Sequence, residues 1–268
     1  MNQAVPLSPF DLSLAASLVL LLALFTLPLK LGLWNRLLTA AVRTTVQLLL
    51  VGLVLKWLFE SASPWWLLLV SMVMLAAAAR EVVARQTKRF KGAWGFAMGS
   101  GAMLLSSFIV TIFALTVVIS ERPWYEPRYS IPLLGMLLGN TMNGISIGMD
   151  RLTLSAWRGR GIIETRLALG EKSGNAIGEI RKESIRSGMI PILNAMAAAG
   201  LVSLPGMMTG QILGGSPPLQ AVRYQILIMF LIAAGSGFGT LFAVWLGSKR
   251  LFDGRERLRL DRLRNSTR

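Results

Sequence analysis

The chain has 268 residues, of which 53% are hydrophobic, and it carries a formal net charge of +15. It contains no cysteine and no histidine, which excludes disulfide bonds, thiolate metal sites and imidazole chemistry. Its apolar residues lie in long uncharged blocks, and helices of about 20 such residues cross a bilayer. We therefore expect an integral membrane protein. Nucleic acid is not expected as a partner, because most of the basic residues lie in alternate connecting segments.

Taken in chain order, the uncharged blocks predict the architecture. We predict an all-α integral membrane protein, a polytopic bundle of about seven transmembrane helices, with one transmembrane domain over residues 1–249. The spans are expected near residues 12–29, 37–58, 63–79, 92–119, 131–149, 188–213 and 224–247. The sixth span is expected to end before Gly214-Gly215-Ser216-Pro217-Pro218, because such a cluster ends a helix and forms a turn.

The segments between the spans differ in charge. Basic residues are dense in residues 80–91, in the long segment 150–187 and in the tail 250–268, whereas the alternate segments have few or balanced charges. Since Lys and Arg remain on the cytoplasmic side, the N-terminus is predicted outside and the C-terminus in the cytoplasm. The basic tail also contains regularly spaced leucines, which favours contact with anionic membrane lipid; a solvated tail is the alternative.

Polar and sulfur-bearing side chains inside the spans mark a candidate transport pathway, because unpaired polar groups are costly in hydrocarbon. Several fall on shared helical faces, and four of them are expected near mid-depth: Gln47, Asn140, Asn143 and Ser203. The alternative is hydrogen bonding between helices. The candidate pathway residues are Gln47, Met136, Asn140, Asn143, Ser203, Met207 and Gln211. Pro205 and Gly206 form a candidate hinge, because proline removes a backbone hydrogen bond.

The chain lacks the parts of an ATP-hydrolysing enzyme. Gly170-Glu171-Lys172-Ser173 does not have P-loop spacing, so we expect a transport subunit without its own ATPase activity and without a cofactor. In ABC permeases, a short cytoplasmic helix followed by glycine inserts into the ATPase. The stretch from Glu164 through Leu167 and Leu169 to Gly170 has this pattern and is the candidate coupling segment.

Two sequence segments carry a resemblance to a known family. Residues 131–142, Ile-Pro-Leu-Leu-Gly-Met-Leu-Leu-Gly-Asn-Thr-Met, and residues 200–211, Gly-Leu-Val-Ser-Leu-Pro-Gly-Met-Met-Thr-Gly-Gln, resemble the FetB family of ABC permeases. The plant aluminium-tolerance permeases are similar. The resemblance implies a homodimer in the bacterial inner membrane that exports iron, a related metal or its chelate, driven by a separate ABC ATPase subunit. The residues that would bind a metal stay unknown.

Three other functions remain open on the sequence. The same machinery can export a nucleotide-sugar or an organic conjugate. An ion-gradient-driven carrier or channel is a second alternative, although Arg43 is the one charged residue well inside a predicted span and a proton relay normally needs carboxylates there. A membrane scaffold or signalling subunit without a pathway is the third.

Overall fold

The computed structural model describes residues 8–30, 32–61, 63–120 and 122–265, and these divide into two compact units. The first unit contains the described residues before Pro64, together with Gln211–Ser216. Its helices are α1 (Pro9–Phe25) and α2 (Trp34–Ser61), which pack against each other. A capping box begins α1: the Ser8 N–H donates to Asp11 Oδ2 over 2.8 Å, and the Asp11 N–H donates to Ser8 Oγ over 3.3 Å.

The second unit contains Pro64–Gly210 and the chain from Pro217 onward. It is helical apart from a short antiparallel strand pair. In chain order its elements are α3 (Pro64–Arg85), β1 (Lys88–Phe90), α4 (Trp94–Met103), α5 (Ile109–Phe113), α6 (Pro127–Arg158), α7 (Arg160–Ala168), α8 (Ser173–Ala176), α9 (Gly178–Ala198), α10 (Gly206–Leu213, whose last residues belong to the first unit), α11 (Pro218–Arg250), a 3₁₀ turn (Leu260–Arg262) and β2 (Leu263–Asn265).

The helices identify an integral membrane protein. Within the described ranges, four helical stretches are long and apolar enough to cross a membrane: α2, α3, Trp94–Ile119 and α11. The shorter α1 is also apolar. The all-α membrane fold expected from the sequence is therefore confirmed, whereas the count of seven spans and the orientation of the termini stay predictions.

The predicted span 92–119 is one helical stretch with two π-helical segments. These segments, Leu104–Phe108 and Ala114–Ile119, flank α5. Buried hydroxyls bond to the helix backbone here: Ser106 Oγ donates to the Ala102 carbonyl over 2.8 Å, and Thr111 Oγ1 donates to the Ser107 carbonyl over 2.6 Å. Ser107 Oγ lies 3.2 Å from Thr141 Oγ1 on α6, so a hydroxyl pair joins the two helices.

Glycines bring α6, α9 and α11 into close contact. A Cβ added at Gly188 of α9 would lie 2.6 Å from the Gly144 carbonyl oxygen of α6 and 2.6 Å from Thr240 Cγ2 of α11. Gly239 on α11 is equally confined, because an added Cβ would lie 2.5 Å from Thr141 Cγ2. In lipid, such small-residue contacts hold helices together by close packing rather than by the hydrophobic effect.

The predicted sixth span, 188–213, is not one continuous helix. It contains the second half of α9, a non-helical segment at residues 199–205, and α10. Two backbone features explain the interruption. Gly200 has a φ of +81°, in the left-handed region that glycine adopts readily. Pro205 disfavours helical geometry at Leu204 and has no N–H to donate.

The segment 150–187 and the tail both belong to the second unit. The segment 150–187 is largely helical: α6 continues to Arg158, and α7, α8 and the start of α9 follow, so a short helix lies at the candidate coupling segment as expected. The tail 250–268 does not form a separate extension: Leu263–Asn265 pairs with Lys88–Phe90, and Leu251, Phe252 and Leu263 are buried in the main apolar cluster of the second unit. Leu258 and Leu260 of the tail also pack against this cluster. Residues 266–268 lie outside the described part of the chain.

Candidate functional site

The interruption of the sixth span borders a cavity of about 580 Å³ within the second unit. The end of α9, the non-helical segment, the start of α10 and the first half of α11 form its walls. Its lining is apolar apart from one amide and includes three methionines. The lining residues are Met196, Ala199, Gly200, Leu204, Pro205, Met208, Val222, Gln225, Ile226, Met229 and Phe230.

Gln225 supplies the one side-chain amide of this lining. The residue is 8% exposed, and its Oε1 has no hydrogen-bond partner among the residues that the structure describes. A buried amide oxygen without a donor costs about 1–3 kcal/mol. A hydrogen-bond donor that reached this oxygen would remove this cost.

The backbone at the interruption is also polar. The Gly200 N–H donates to the Ser203 carbonyl over 2.9 Å, and the Ser203 N–H donates to the Ala198 carbonyl over 3.1 Å, which closes a tight turn at the end of α9. The first N–H groups of α10 have no acceptor in the preceding turn of helix, as at any helix start. Non-helical backbone at membrane depth is tolerated where it is buried in protein or lines a cavity.

The fifth-span candidates mostly make hydrogen bonds within the protein. The Asn140 Nδ2–H donates to the Met136 carbonyl over 2.8 Å, along the same helix. Asn143 Oδ1 accepts from Arg85 Nη1 over 2.6 Å. Since Arg85 is the last residue of α3, Asn143 lies beside the end of that helix. The mid-depth position expected for Asn143 from the sequence stays a prediction.

The other pathway candidates have different local environments. Met136 and Met207 pack against the same apolar cluster, formed around Leu137, Ile192 and Ile228. Ser203 is exposed at the turn. Gln47 is exposed on α2, and the buried Oε1 of Gln211 has no hydrogen-bond partner within the described residues. Of the predicted site and hinge residues, only Pro205 lines the cavity. The roles of these residues in a pathway stay predictions.

The candidate coupling segment forms α7, at the end of α6. Glu164 is paired with Arg160 one turn earlier, with Arg160 Nε 2.8 Å from Glu164 Oε1. Leu167 packs against the main apolar cluster, whereas Leu169 is 81% exposed. Gly170 has a φ of +90° and ends the segment, which is the geometry that glycine provides after a helix.

Arg166 joins α7 to the residues that follow it in the chain. Arg166 Nη2 lies 2.9 Å from Glu171 Oε2, and Arg166 Nη1 donates to the Ala176 carbonyl over 3.4 Å. Glu256 in the tail accepts from the Ser173 N–H. Hydrogen bonding by the Ser173 side chain, and then by its backbone N–H, lowers the pKa of the Glu256 carboxyl. The tail therefore contacts the segment that follows α7.

No conventional metal site is present in the described parts of the chain, because no three Cys, His, Asp or Glu side chains cluster there. The cavity is instead lined by three methionines and one glutamine among apolar residues. Sequence reasoning missed Met208, Gln225 and Met229 as cavity residues. In the sequence, Gln225 is a polar residue near the start of a long uncharged block, and this polarity was the one feature that could have indicated it.

The fold defines a polytopic α-helical membrane protein. The chain belongs to the membrane family described as "Uncharacterised protein family (UPF0014)", whose sequence profile matches residues 9–252. No solved structure matches the chain.

Relatives in this family come from bacteria and plants. The chain is 42% identical to UPF0014 membrane protein slr1647 of Synechocystis sp. over 229 residues, which cover 85% of this chain and 87% of the relative. It is 29% identical to "Probable iron export permease protein FetB" of Escherichia coli over 265 residues, covering 95% and 96%. It is 29% identical to Protein ALUMINUM SENSITIVE 3 of Arabidopsis thaliana over 232 residues, covering 87% and 83%. The predicted family resemblance is confirmed.

Proposed function

We propose that this chain is the permease subunit of an ABC-type exporter in the bacterial inner membrane, driven by a separate ATPase subunit. The observation that carries the proposal is α7, a short amphipathic helix presented at the end of α6. Its Ile162 is 71% exposed and the following Leu169 is 81% exposed, in a segment too polar to lie within the membrane. Exposed apolar side chains next to paired charges are typical of a surface that a protein partner covers.

The attachment of α7 suits a mechanical role. It follows α6 after a single residue, Gly159, and α6 packs closely on α9 and α11. A displacement of α7 by the ATPase would therefore act on the helices that border the interrupted span. A homodimer with two ATPase copies is part of the proposal, as expected for ABC permeases.

The cavity supports a proposal for the form of the cargo. Its lining includes no charged side chain, and its polar group is an amide oxygen. Free Fe(II) favours imidazole, carboxylate and thiolate ligands. We therefore propose that iron or a related metal passes as a chelate whose surface donates hydrogen bonds. A nucleotide-sugar or another organic conjugate is the alternative cargo.

Substitutions of the two exposed apolar residues at α7 test whether this surface binds the ATPase subunit. Ile162→Asp and Leu169→Asp should abolish co-purification with the ATPase subunit and reduce ATP-dependent export at least tenfold, with membrane insertion unchanged. Glu179→Gln is the matched control, because Glu179 is an exposed residue at the start of α9 outside α7. Normal export in both Asp variants would refute the coupling role. Transport in nucleotide-free proteoliposomes under an ion gradient would instead support the carrier.

A further inference from the structure

A second, smaller cavity of about 250 Å³ lies where α11 ends and α4 begins. Its lining residues are Phe90, Lys91, Trp94, Arg250, Asp261 and Arg262. Three of these six residues are cationic and one is acidic. This cavity is separate from the interrupted span and takes no part in the proposed transport path.

The three cations are not neutralised by carboxylates. Arg262 Nη1 donates to two neutral groups, the Arg250 carbonyl over 2.7 Å and the Phe252 carbonyl over 3.0 Å. The Arg250 guanidinium lies 4.3 Å above the Trp94 ring. Among the described residues, no Asp or Glu forms an ion pair with Lys91, Arg250 or Arg262.

The acidic residue of the lining is paired with another arginine. Both Asp261 oxygens accept from Arg259, over 2.8 Å and 2.9 Å, and this hydrogen bonding lowers the pKa of the Asp261 carboxyl to about 2. The carboxylate is therefore ionised and already compensated at neutral pH. The cavity keeps an excess of positive charge.

One donor of the lining also lacks an acceptor. Arg250 Nε is buried and makes no hydrogen bond within the residues that the structure describes. Guanidinium groups bind phosphate oxygens through paired N–H donors, and a lysine nearby adds a point charge. An anion with several oxygens would supply the missing acceptors.

The position of the cavity indicates the source of that anion. Trp94 begins a membrane-spanning stretch and Arg250 ends another, so the cavity lies at a membrane boundary. Tryptophan is enriched at that depth, and Lys and Arg there attract anionic headgroups. We propose that this cavity binds the phosphate group of an anionic membrane lipid, with Lys91 and Arg250 as its main contacts.

The test uses the purified full chain in neutral detergent. Phosphatidylglycerol in mixed micelles should raise the thermal unfolding temperature, and phosphatidylcholine at the same concentration should not. Lys91→Gln should weaken the apparent phosphatidylglycerol affinity about fivefold, since one basic residue near a membrane surface contributes about that much. Arg250→Gln should weaken it further.

Arg255→Gln is the matched control, because it removes the same charge from an exposed tail residue that does not line the cavity. Equal losses in Lys91→Gln and Arg255→Gln would overturn the proposal, since they indicate non-specific attraction. Inorganic phosphate is a second probe. Stabilisation by phosphate alone that Lys91→Gln removes would retain the phosphate site but assign it to a soluble ligand. No effect of either probe would refute the site.

Discussion

Gly188→Ala gives the sharpest test of the packing between α6, α9 and α11. The added methyl group would lie 2.6 Å from the Gly144 carbonyl oxygen, 2.6 Å from Thr240 Cγ2 and 3.4 Å from Gly148 Cα. Favourable separations between such atoms are about 3.5–4.0 Å, so α9 would have to move away from α6 by about 1 Å. The Gly144 oxygen belongs to the backbone and cannot rotate away.

The added methyl group should lower the free energy of unfolding, because it overpacks the contact between the three helices. An extra methyl group in a tightly packed interior costs about 1–3 kcal/mol. At roughly 2–4 °C per kcal/mol for a chain of this size, the thermal midpoint should fall by about 2–12 °C. Thr240→Ser removes the methyl contact but leaves the backbone oxygen. The double variant should therefore recover only part of the loss.

Thermal unfolding of the detergent-solubilised chain measures this effect. Gly139→Ala is the control, because it lies on α6 and an added Cβ there would meet nothing within 4 Å. The control should unfold at the wild-type temperature or slightly above, since alanine favours helix over glycine by about 1 kcal/mol. Equal midpoints for Gly188→Ala and Gly139→Ala would refute the close three-helix contact.

Three further predictions concern contacts of α6, α7 and the tail. Thr153→Val should destabilise the fold by about 1 kcal/mol, because buried Thr153 Oγ1 donates to the Lys88 carbonyl over 2.8 Å; Thr165→Val, whose hydroxyl bonds only within α7, should change unfolding less. Hydrogen bonds to the Asp253 carboxylate, of which that from the Arg257 N–H is the most important, lower its pKa from 3.8 to about 2. The ionised Asp253 side chain therefore stabilises the fold fully above about pH 4, and this stabilisation is lost as the pH falls through 2. The difference in thermal midpoint between wild type and Asp253→Asn should accordingly be constant at neutral pH and shrink below pH 4. Glu256→Ala, which removes the acceptor, should speed hydrogen exchange at the Ser173 amide, and unchanged exchange would contradict the tail contact.

Apolar block length made the membrane fold predictable. Long uncharged runs such as 224–247 gave α11 directly, because about 20 apolar residues are enough to indicate a span. Boundaries were less predictable: α6 begins at Pro127 and continues to Arg158, well beyond the predicted span 131–149. Charged residues ended the predicted span at Asp150, but a helix can leave the membrane and continue in water.

The candidate site was harder to predict, because it depends on backbone geometry and on contacts distant in sequence. Pro205 indicated an irregularity, but the interruption begins at Ala199, where the left-handed Gly200 follows. Asn143 was assigned to a pathway because it lies on the same helical face as Asn140. Its partner Arg85 is 58 positions away, and no local pattern indicates that pair.

The two π-helical segments between Leu104 and Ile119 have a consequence for how chains of this kind can change in length. A π turn encloses one residue more than an α turn, so this stretch holds surplus residues without a loop. Deleting one of them can convert a π turn into an α turn and leave both ends of the helix in place. The same deletion in the regular α6 would rotate every later side chain by about 100° and ruin its glycine contacts. Among related sequences, single-residue deletions are therefore expected more often in this stretch than in α6, because the helix can lose a residue here without displacing its two ends.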